Sequence, residues 1–482
     1  MNIDYLNDIS KAKVLVFGDY MVDEYVIGDV NRISPEAPVP VIEITKQSRK
    51  LGGAGNVINN IRSLGANVRV LGAVGKDNAG DYIYQEFLDK KVDVKYFKQY
   101  SECNTIIKTR VVSRKQQFFR IDAEDKKELP QKYIDFVNNK INSILSGITS
   151  VVISDYAKGA VNENIAQLII TNANKLNIPV IIDPKGKDYS KYKGATLCTP
   201  NLKELSDVSN KKIKTEDEIL EESYKLCHKF NIKNIALTRS EDGISLITNK
   251  KNKTDYKAVA KEVIDVSGAG DTVVSTMAIL MSMNINIEDI CKISNIAAGI
   301  VVSKFGTATV SFNELISSIS KNSDYKLQSI DTLKYIIKDL KEKGKKIVFT
   351  NGCFDLLHVG HISSFKEAKK YGDILIVAVN SDKSVKENKG DLRPIINEKD
   401  RIEMVSSLEM VDYVVLLNDK NPSKLISELQ PDISIKGEDW KDKTVPEKKI
   451  VESYGGEMKF IKLNPNHSTT SIIEKVIKVY GK

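Results

Sequence analysis

The sequence predicts an α/β protein with parallel sheets, organised as two domains. Short β-rich runs recur along the chain, and a helical pattern follows each of them. The 482 residues exceed the size of one ordinary domain. Hydrophobic residues make up 41% and charged residues 28%, a balance that is typical of a globular chain and excludes a disordered one.

The elements follow in chain order from these runs. Strands are predicted at residues 14–18, 68–75, 151–156, 180–184, 235–238, 346–352, 374–382 and 413–417. The longest apolar run, residues 374–379, is too short to span a bilayer and is typical of a buried parallel strand. An apolar run at 273–283 predicts a helix.

A break in the pattern separates the domains. Residues 317–323 are small and polar, as in a linker. The spacing i, i+3, i+4, i+7 then predicts an amphipathic helix that stops before Gly344 and carries Leu333, Ile336, Ile337 and Leu340. We expect a first domain at 1–322, a linker and helix at 323–345, and a second domain at 346–482.

Charge and cysteine content narrow the class of protein. The net charge of +8 suits anionic small molecules and requires neither nucleic acid nor a membrane surface. The five cysteines are scattered, which argues against a disulfide framework and a structural zinc site and favours a reducing cytoplasm. The N-terminus lacks the pattern of a signal peptide. We therefore expect a cytoplasmic protein with no nucleic-acid or membrane partner.

Residues 265–272, DVSGAGDT, precede the predicted helix at 273–283. Gly268 and Gly270 let backbone N–H groups approach a bound group, and the helix start adds unpaired donors, as in an anion hole. Asp271 can take a proton from a substrate hydroxyl, or it can be an ordinary N-cap in a glycine turn. Both interpretations stay open on this segment alone.

Two further segments of the first half have a structural alternative. Asn201 and Glu204 have a spacing that can hold hydrated magnesium, and the same spacing is that of a capping box. The glycine cluster at 51–56 can contact a ligand or make a tight turn. The chain has no G-x-x-x-x-G-K-[ST] motif, which excludes a P-loop nucleotide site.

In the second half, His358 and His361 are three residues apart at a predicted helix start, so they share one helix face. Imidazoles there can donate hydrogen bonds to phosphate oxygens. The alternatives are a zinc pair, which would need a distant third ligand, and ordinary capping or core histidines.

Three later segments also suit phosphate or a base. Lys389 and Arg393 lie in a Gly/Pro loop that can clamp a triphosphate or be a solvated basic loop. Lys436 lies near Trp440, the only tryptophan, which can stack on a base or simply pack. Residues 467–471 can bind phosphate or cap the C-terminal helix.

The first half resembles the ribokinase-like (PfkB) sugar kinases over about residues 10–315. The resemblance rests on GGAGN (52–56), DPK (183–185), NLKE (201–204), TRSEDG (238–243), DVSGAGDT (265–272) and FGTATV (305–310). It implies a three-layer αβα fold, ATP-dependent phosphorylation of a sugar hydroxyl, and Asp271 as the base.

The resemblance also assigns binding residues. Those near the ATP phosphates would be Asn201, Leu202, Lys203, Glu204, Thr238, Gly243, Ser267, Gly268, Ala269, Gly270 and Asn295, with Glu204 also near magnesium. Those near the sugar would be Asp19, Gly52, Gly53, Asn56 and Lys185. Asp19 has a turn aspartate as its alternative.

The second half resembles the cytidylyltransferase-like nucleotidyltransferases, a Rossmann-like fold, over about residues 346–480. The resemblance rests on TNGCFDLLHVGH (350–361), VNSD (379–382), KGDLRP (389–394), RIEMV (401–405), KGEDW (436–440) and STT (468–470). In-line attack of a substrate phosphate on the α-phosphorus would release pyrophosphate, with His358 and His361 stabilising the transition state. The implied nucleotide-binding residues are Gly352, Phe354, Asp355, Lys389, Arg393, Lys436, Trp440, Ser468, Thr469 and Thr470. The segment STTSII at 468–473 lacks the arginine that many relatives carry.

The order of the halves, together with ISPEAPVPV (33–41), LGGAGN (51–56) and TNGCFDLLHVGH (350–361), resembles that of the bifunctional heptose enzymes of Gram-negative bacteria. This resemblance implies phosphorylation of D-glycero-β-D-manno-heptose 7-phosphate at O1 and adenylylation of heptose 1-phosphate to ADP-heptose, for the lipopolysaccharide core. A separate phosphatase would act between the steps. It also implies ATP and sugar-phosphate substrates, Mg²⁺ at both sites and a homodimer. The alternatives are another sugar or polyol phosphate with CTP at the second site, and a regulatory protein with a degenerate site.

Overall fold

The computed structural model describes residues 4–113, 116–125, 127–259, 263–304, 306–320, 326–441, 443, 445–462 and 477–480. The chain forms two compact units. The larger unit is Asp8–Phe312, and the smaller unit is Asn313–Lys482 together with Met1–Asn7.

The strands of the larger unit lie in two sheets. In chain order they are β1 (Lys13–Gly18), β2 (Tyr20–Ile33), β3 (Pro40–Gly53), β4 (Asn67–Gly75), β5 (Asp93–Tyr100), β6 (Ile106–Ser113), β7 (Gln116–Ala123), β8 (Ser150–Ser154), β9 (Val180–Asp183), β10 (Leu197–Cys198), β11 (Asn234–Thr238), β12 (Ile244–Thr248) and β13 (Lys253–Tyr256). The main sheet has the order β13-β12-β11-β10-β9-β8-β1-β4-β5. It is parallel from β11 to β5, and β12 and β13 add an antiparallel edge.

Helices cover both faces of the main sheet. They are α1 (Ala54–Ser63), α2 (Asn78–Asp89), α3 (Gln131–Leu145), α4 (Glu163–Lys175), α5 (Leu202–Ser209), α6 (Glu216–Phe230), α7 (Ala269–Met281) and α8 (Ile287–Val302). On β1, Leu15 and Phe17 face the core cluster formed with α3, α4 and α6. The alternate residues Val14 and Val16 are also buried, and α1 and α7 contact β1. This alternation confirms the predicted three-layer arrangement.

The side sheet, as we call β2, β3, β6 and β7, is a four-stranded sheet of order β3-β2-β6-β7. β2 runs parallel to β6 and antiparallel to β3, and β7 pairs antiparallel with β6. No strand was predicted here from the sequence. β7 is exposed along its whole length, so its residues show no alternation between apolar and polar that would predict a strand.

The smaller unit contains one parallel sheet of order β16-β15-β14-β17-β18. Its strands are β14 (Ile347–Gly352), β15 (Ile374–Asn380), β16 (Tyr413–Leu417), β17 (Ile433–Gly437) and β18 (Glu457–Ile461). The helices from the division onwards are α9 (Phe312–Ser320), α10 (Ile330–Glu342), α11 (Val359–Lys369), α12 (Asp382–Lys389), α13 (Glu398–Ser406), α14 (Ser423–Leu429) and α15 (Glu447–Ser453). The chain order reverses between β14 and β17, where loops diverge and ligands bind in such sheets.

All eight predicted strands are present, and the apolar run at 374–379 forms β15. The predicted amphipathic helix is α10, with its four apolar residues buried. The segment 317–323 was predicted to resemble a linker, but its first four residues are helical, because α9 continues to Ser320. Leu315, Ile316 and Ile319 of this helix are buried. Their spacing is that of one helix face, which the polar residues between them conceal.

Two features of the chain bear on its chemistry. The five cysteines are free thiols, and Cys198, Cys227 and Cys291 are buried. Within the described ranges, no helix combines the length and the apolar character needed to cross a membrane.

Candidate active sites

A cavity of about 180 Å³ lies at the carboxyl edge of the main sheet. The loops after β8, β9, β10 and β11 meet the start of α7 there, which is where ligands bind in open α/β sheets. Its lining residues are Asp155, Tyr156, Asp183, Pro184, Lys185, Thr199, Asn201, Glu204, Thr238, Gly268, Gly270 and Asp271.

Asp271 lies in the first turn of α7 and is buried. The N-cap of this helix is Gly268, so Asp271 is not the capping residue that the alternative supposed. The Asn56 amide donates to one carboxylate oxygen at 2.7 Å, and the Tyr156 hydroxyl donates to the other at 2.8 Å. Burial raises the pKa of Asp271 to about 6, although these hydrogen bonds oppose the shift. A carboxylate with this pKa is ionised at neutral pH and can accept a proton.

The two glycines before Asp271 differ in their surroundings. Gly268 has a φ of +83°, and a Cβ there would lie 2.9 Å from Asn56 Nδ2. A Cβ on Gly270 would meet no atom within 4 Å. Because the first N–H groups of a helix have no partner within it, the open space at Gly270 leaves these donors accessible to an anion.

Asn201 and Glu204 form the capping box of α5 and also line the cavity. The Glu204 N–H donates to Asn201 Oδ1 at 2.9 Å, and the Asn201 N–H donates to Glu204 Oε2 at 2.9 Å. Glu204 Oε1 accepts from Lys185 Nζ at 2.6 Å. The capping box and the proposed magnesium-binding pair are therefore the same two side chains. Lys185 lies beside Glu204.

Asp19 lies in the turn between β1 and β2 and is buried. Its carboxylate accepts backbone hydrogen bonds from Tyr156, Ala160 and Lys158 at 2.8, 3.0 and 3.2 Å. Burial, with the Asp155 carboxylate nearby, raises the pKa of Asp19. The side chain holds the loop after β8 in place, and it borders a second cavity of about 250 Å³.

The other sugar-region residues lie close to Asp19. Gly52 and Gly53 end β3 and are buried, and the following Ala54 N–H donates to Asp19 O at 3.0 Å. Asn56, which is buried in α1, reaches Asp271.

Several predicted ATP residues are not among those that line the cavity. Leu202 and Lys203 are exposed in the first turn of α5. The Asn295 amide donates to Lys257 O at 2.6 Å and so holds the end of β13. The remaining ones lie in turns or at the start of α7: Gly243, Ser267 and Ala269. By contrast, Thr238 is part of the lining.

Five lining residues were not predicted, namely Asp155, Tyr156, Asp183, Pro184 and Thr199, and two of them bear directly on the chemistry. Tyr156 contacts Asp271, and Asp183 ends β9 within the quoted segment DPK. Among the described residues, the Asp183 carboxylate has no hydrogen-bond or ion-pair partner. Burial, with Asp271 and Glu204 nearby, raises the pKa of Asp183 well above its usual value. A polar residue at the carboxyl end of a predicted strand is the signal that could have identified both.

In the smaller unit, His358 and His361 lie at the start of α11, directly after β14 and its loop. His358 is the N-cap, and its N–H donates to His361 Nδ1 at 3.4 Å. The imidazole rings stack with centroids 3.9 Å apart. Burial and the charge of His358 lower the pKa of His361 to about 4. His361 is therefore neutral at pH 7, with its proton on Nε2, because Nδ1 accepts.

Packing beneath His361 fixes its ring. Phe354 is buried with a φ of +47°, and its ring lies 5.3 Å from that of His361 and 5.1 Å from that of Phe365. Gly352 ends β14 two residues earlier. Phe354 thus supports the imidazole from below.

The basic loop is tied to the histidine loop through Asp355. This buried carboxylate pairs with Arg393 and accepts N–H bonds from Ile395 and Ile396 at 2.7 and 2.9 Å. Although burial favours the neutral acid, the bonds from Ile396 and Arg393 hold the pKa of Asp355 below its usual value. Lys389 ends α12, is exposed, and has no ion-pair partner in the described part of the chain.

Arg401, in the quoted segment RIEMV, was not predicted as a site residue. Its side chain is fully buried and donates to Ile396 O at 2.9 Å, Cys353 O at 2.5 Å and Asp382 Oδ1 at 2.7 Å. A buried arginine with three acceptors joins the loops after β14 and β15 and the start of α13. Arg401 therefore positions the loops and does not bind nucleotide itself.

Lys436 lies near the end of β17 and Trp440 follows this strand, on the other side of the reversal in strand order. Lys436 Nζ lies 3.0 Å from the buried carboxylate of Glu447 and 4.9 Å from the Trp440 ring centroid. Trp440 is 39% exposed, so part of its indole is free to stack. Ser468, Thr469 and Thr470 lie outside the described residues.

No group of three or more His, Cys, Asp or Glu side chains that could hold a metal ion is found in the described ranges. The oxygen donors nearest to such a role are Asp183 and Glu204 in the larger unit. Magnesium prefers oxygen ligands and keeps several waters, so a free carboxylate at Asp183 and a capped one at Glu204 fit a mostly hydrated ion.

Two families match the chain, one for each half. The pfkB family of carbohydrate kinases matches residues 11–314, more than half of the chain. The cytidylyltransferase-like family matches residues 349–475.

Full-length relatives carry both halves. The chain is 41% identical over 481 residues to the bifunctional protein HldE of Haemophilus influenzae, covering 98% of both chains. It is 40% identical over 469 residues to the bifunctional protein HldE of Geotalea uraniireducens, covering 97% of this chain and 96% of that one.

Solved structures share the fold over nearly two thirds of the chain. Ribokinase of Arabidopsis thaliana, complexed with ribose and ATP, is 18% identical with a TM-score of 0.51, covering 64% of this chain and 98% of that one. Phosphofructokinase-2 of Escherichia coli, with substrates and products, is 20% identical with a TM-score of 0.53, covering 63% and 97%.

Proposed function

Because the chain belongs to the family of the bifunctional HldE proteins, we propose that it carries out two steps of ADP-heptose synthesis. The larger unit transfers the γ-phosphoryl group of ATP to O1 of D-glycero-β-D-manno-heptose 7-phosphate. The smaller unit transfers the adenylyl group of ATP to heptose 1-phosphate. The product is ADP-heptose for the lipopolysaccharide core.

One observation supports the kinase step above the others. The Asp271 carboxylate, with a pKa of about 6, lies in the same cavity as the open start of α7. Asp271 accepts the O1 proton as O1 bonds to the γ-phosphorus, and the bond from that phosphorus to the bridging oxygen breaks to release ADP. The α7 N–H groups near Gly270 stabilise the charge on the moving phosphoryl group.

Asn56 and Tyr156 orient the Asp271 carboxylate in the free protein. The sugar hydroxyl must also reach this carboxylate, so substrate shares or displaces the Tyr156 hydrogen bond. The Asp271 oxygen that accepts the Tyr156 hydrogen bond is then the one that accepts the hydrogen bond of the sugar hydroxyl, and it is already oriented for this.

Mg²⁺ bound with ATP would neutralise the phosphate charges at both sites. In the larger unit, Asp183 would bind it directly or through water, and Glu204 through water, because both Glu204 oxygens already accept hydrogen bonds. The unpartnered Asp183 carboxylate supports this assignment.

In the smaller unit, a phosphate oxygen of heptose 1-phosphate attacks the α-phosphorus of ATP, and the bond to the β-phosphate breaks to release pyrophosphate. Neutral His361 donates from Nε2 to a phosphate oxygen. His358, whose ring stacks on that of His361, helps to stabilise the same transition state. Lys389 supplies a free cation for the leaving phosphates. Arg393 keeps the loop against Asp355 and contributes its remaining N–H groups.

The test is an assay of the intact protein with Mg²⁺ and a panel of sugar phosphates. The kinase step should use ATP with heptose 7-phosphate, and the transfer step should use ATP and heptose 1-phosphate in preference to CTP. No adenylylation of heptose 1-phosphate would overturn the proposal. Use of CTP or of another sugar phosphate in its place would support the alternative pair of activities.

We also propose a cytoplasmic homodimer. ATP is supplied in the cytoplasm, and the five free thiols persist where thiols stay reduced. On β7 of the side sheet, Phe119 is 48% exposed and Ile121 is 55% exposed. These two apolar side chains are two residues apart and so lie on the same face, which suits burial against a second copy. Light scattering should give twice the chain mass, and Ile121→Lys should shift it towards the monomer. A monomeric parent protein would contradict this.

A further inference from the structure

Five side chains share one face of the side sheet. Asp23 of β2 pairs directly with Lys50 of β3 and with Lys108 of β6, and Tyr25 of β2 pairs with Arg110 of β6. Directly paired residues, and those two apart on a strand, point to the same side. We call this the inner face, and Phe119 and Ile121 lie on the opposite one.

The inner face lies against the kinase cavity. Lys108 Nζ is 5.7 Å from the ring centroid of Tyr156, whose hydroxyl contacts Asp271. Lys50 Nζ lies 3.4 Å from the position of a Cβ built on Gly306. The Gly306 N–H donates to Asp265 at the start of DVSGAGDT, at 3.0 Å. Both ammonium groups are thus close to residues that surround the proposed base.

The charges on the inner face are incompletely paired. Arg110 forms an ion pair with Asp23. Lys108 and Lys50 have no hydrogen-bond or ion-pair partner anywhere in the described part of the chain. Nearby Lys158 and Arg120 differ, because each has a carboxylate partner of its own, Glu124 and Asp122 respectively.

Lys108 is the more unusual of the two free lysines, since its side chain is half-buried. Burial lowers the pKa of Lys108, and Lys158 and Arg120 lower it further, against the attraction of Asp23 and of Asp122 of β7, which pairs directly with Lys108. A half-buried ammonium group that has no acceptor in the described part of the chain can be hydrated, and it is also free to bind an anionic group. The surroundings therefore point to an anionic ligand that enters with the substrate.

We propose that Lys108, with Lys50 and Arg110 beside it, holds the phosphate group that the sugar substrate already carries when it reaches the kinase. This inference rests on the proposed function. The start of α7 takes the phosphoryl group that is transferred, and Asp271 takes the proton of the acceptor hydroxyl. Lys108 contacts this site through Tyr156 and not through the α7 glycines, so it suits the other end of the sugar. A dianionic phosphate would supply the acceptor that Lys108 lacks.

The experiment compares heptose 7-phosphate with the same heptose without phosphate, in the intact protein and its Lys108→Met variant. Loss of a charge-assisted hydrogen bond should raise KM for heptose 7-phosphate by about tenfold or more. The kcat should change little, and KM for the unphosphorylated sugar should stay within about twofold, because methionine keeps the apolar stem over Tyr156.

Lys98→Met is the matched control. Lys98 is also half-buried, on β5, and its Nζ lies 5.3 Å from the Phe136 ring centroid. It should leave KM for both sugars unchanged. Equal KM values for heptose 7-phosphate in the two variants would overturn the anion site, as would equal losses with both sugars in Lys108→Met.

Calorimetric titration of the intact protein with heptose 7-phosphate, without ATP, separates this inference from the proposed reaction. Binding that is weakened by Lys108→Met and not by Lys98→Met supports the anion site whether or not turnover occurs. Binding without turnover in the parent protein would overturn the proposed reaction alone. Binding that is equal in both variants, or absent from the parent protein, would overturn the anion site.

Discussion

Asp271 is buried and His361 is partly buried, and in each case burial favours the neutral form of the side chain. For the carboxyl group this raises the pKa to about 6, whereas for the imidazole it lowers the pKa to about 4. At neutral pH the consequences are opposite. Asp271 remains a charged group that can take a proton, and His361 is an uncharged donor with no proton to lose in the physiological range.

The kinase step should follow the titration of Asp271. Because the base must be ionised, kcat/KM should fall as the pH drops through about 6 and level off above about 7. Asp271→Asn keeps the shape and removes the base, so it should lower kcat by about 10²-fold or more while adenylyl transfer stays nearly intact. Separate assays of the two reactions check this. Loss of both together would show that the sites depend on each other.

The transfer step should respond differently. If His361 acts as a neutral donor, kcat should show no acid limb from this residue between about pH 5 and 8, because its pKa is about 4. His361→Ala should abolish transfer and leave the kinase step unchanged. A transfer rate in the parent protein that titrates with a pKa near 6.5 would contradict a neutral donor whose pKa is about 4.

The sequence revealed these residues more readily than it revealed their partners. DVSGAGDT and the histidine motif are local patterns, so the sequence singled out Asp271, His358 and His361 as candidates, and the family resemblance favoured a catalytic role for them. Asn56 and Tyr156, which bind the Asp271 carboxylate, are 215 and 115 residues away from it in the chain. Nothing in the local sequence connects them, because the sheet order alone brings them together.

At the scale of elements, the start of α7 carries two glycines with different requirements. Gly268 needs its positive φ and has Asn56 at its side, whereas Gly270 borders open space. The first is needed for the fold and the second for access to the helix N–H groups.

These requirements predict opposite outcomes for two alanine substitutions. Gly268→Ala should destabilise the protein by about 1–3 kcal/mol, because a side chain at this φ is strained and would displace Asn56. Gly270→Ala should leave the free energy of unfolding almost unchanged and reduce kcat about tenfold, since its methyl group enters the phosphoryl space. Denaturant unfolding and kinase assays distinguish them. A stable Gly268→Ala protein with full activity would contradict the assignment.

The predictable elements are those buried on at least one face. β1, β8, β9 and β15 consist of buried residues that read as apolar runs, and α10 shows the helical period on its covered side. The side sheet escaped prediction because its strands extend beyond the core. The far half of β2 and most of β3 are partly or fully exposed, so no buried face fixes a pattern.

For the whole molecule, the proposed pathway places a requirement on the intermediate. A phosphatase must remove the 7-phosphate between the two reactions, so the kinase product has to leave the protein before the transfer step. The benefit of joining the two units in one chain is then equal amounts of both activities, and not direct transfer from site to site.

Mixing two inactive variants tests this. With a phosphatase present, Asp271→Asn and His361→Ala should each fail to make ADP-heptose from heptose 7-phosphate, and an equimolar mixture should restore synthesis to about half the parent rate. Chromatography of the nucleotide products measures it. A mixture that stays inactive, with both single activities retained, would indicate that the intermediate does not pass freely through solution.

The buried thiols of the larger unit can report how often its structure opens locally. Burial raises the pKa of Cys227 and of Cys291 to about 12, so neither sulfur is nucleophilic in the folded chain. A maleimide at neutral pH can modify them only while the surrounding structure is open. Their labelling rates therefore measure how often α6 and α8 separate from the core, residue by residue and without an engineered cysteine.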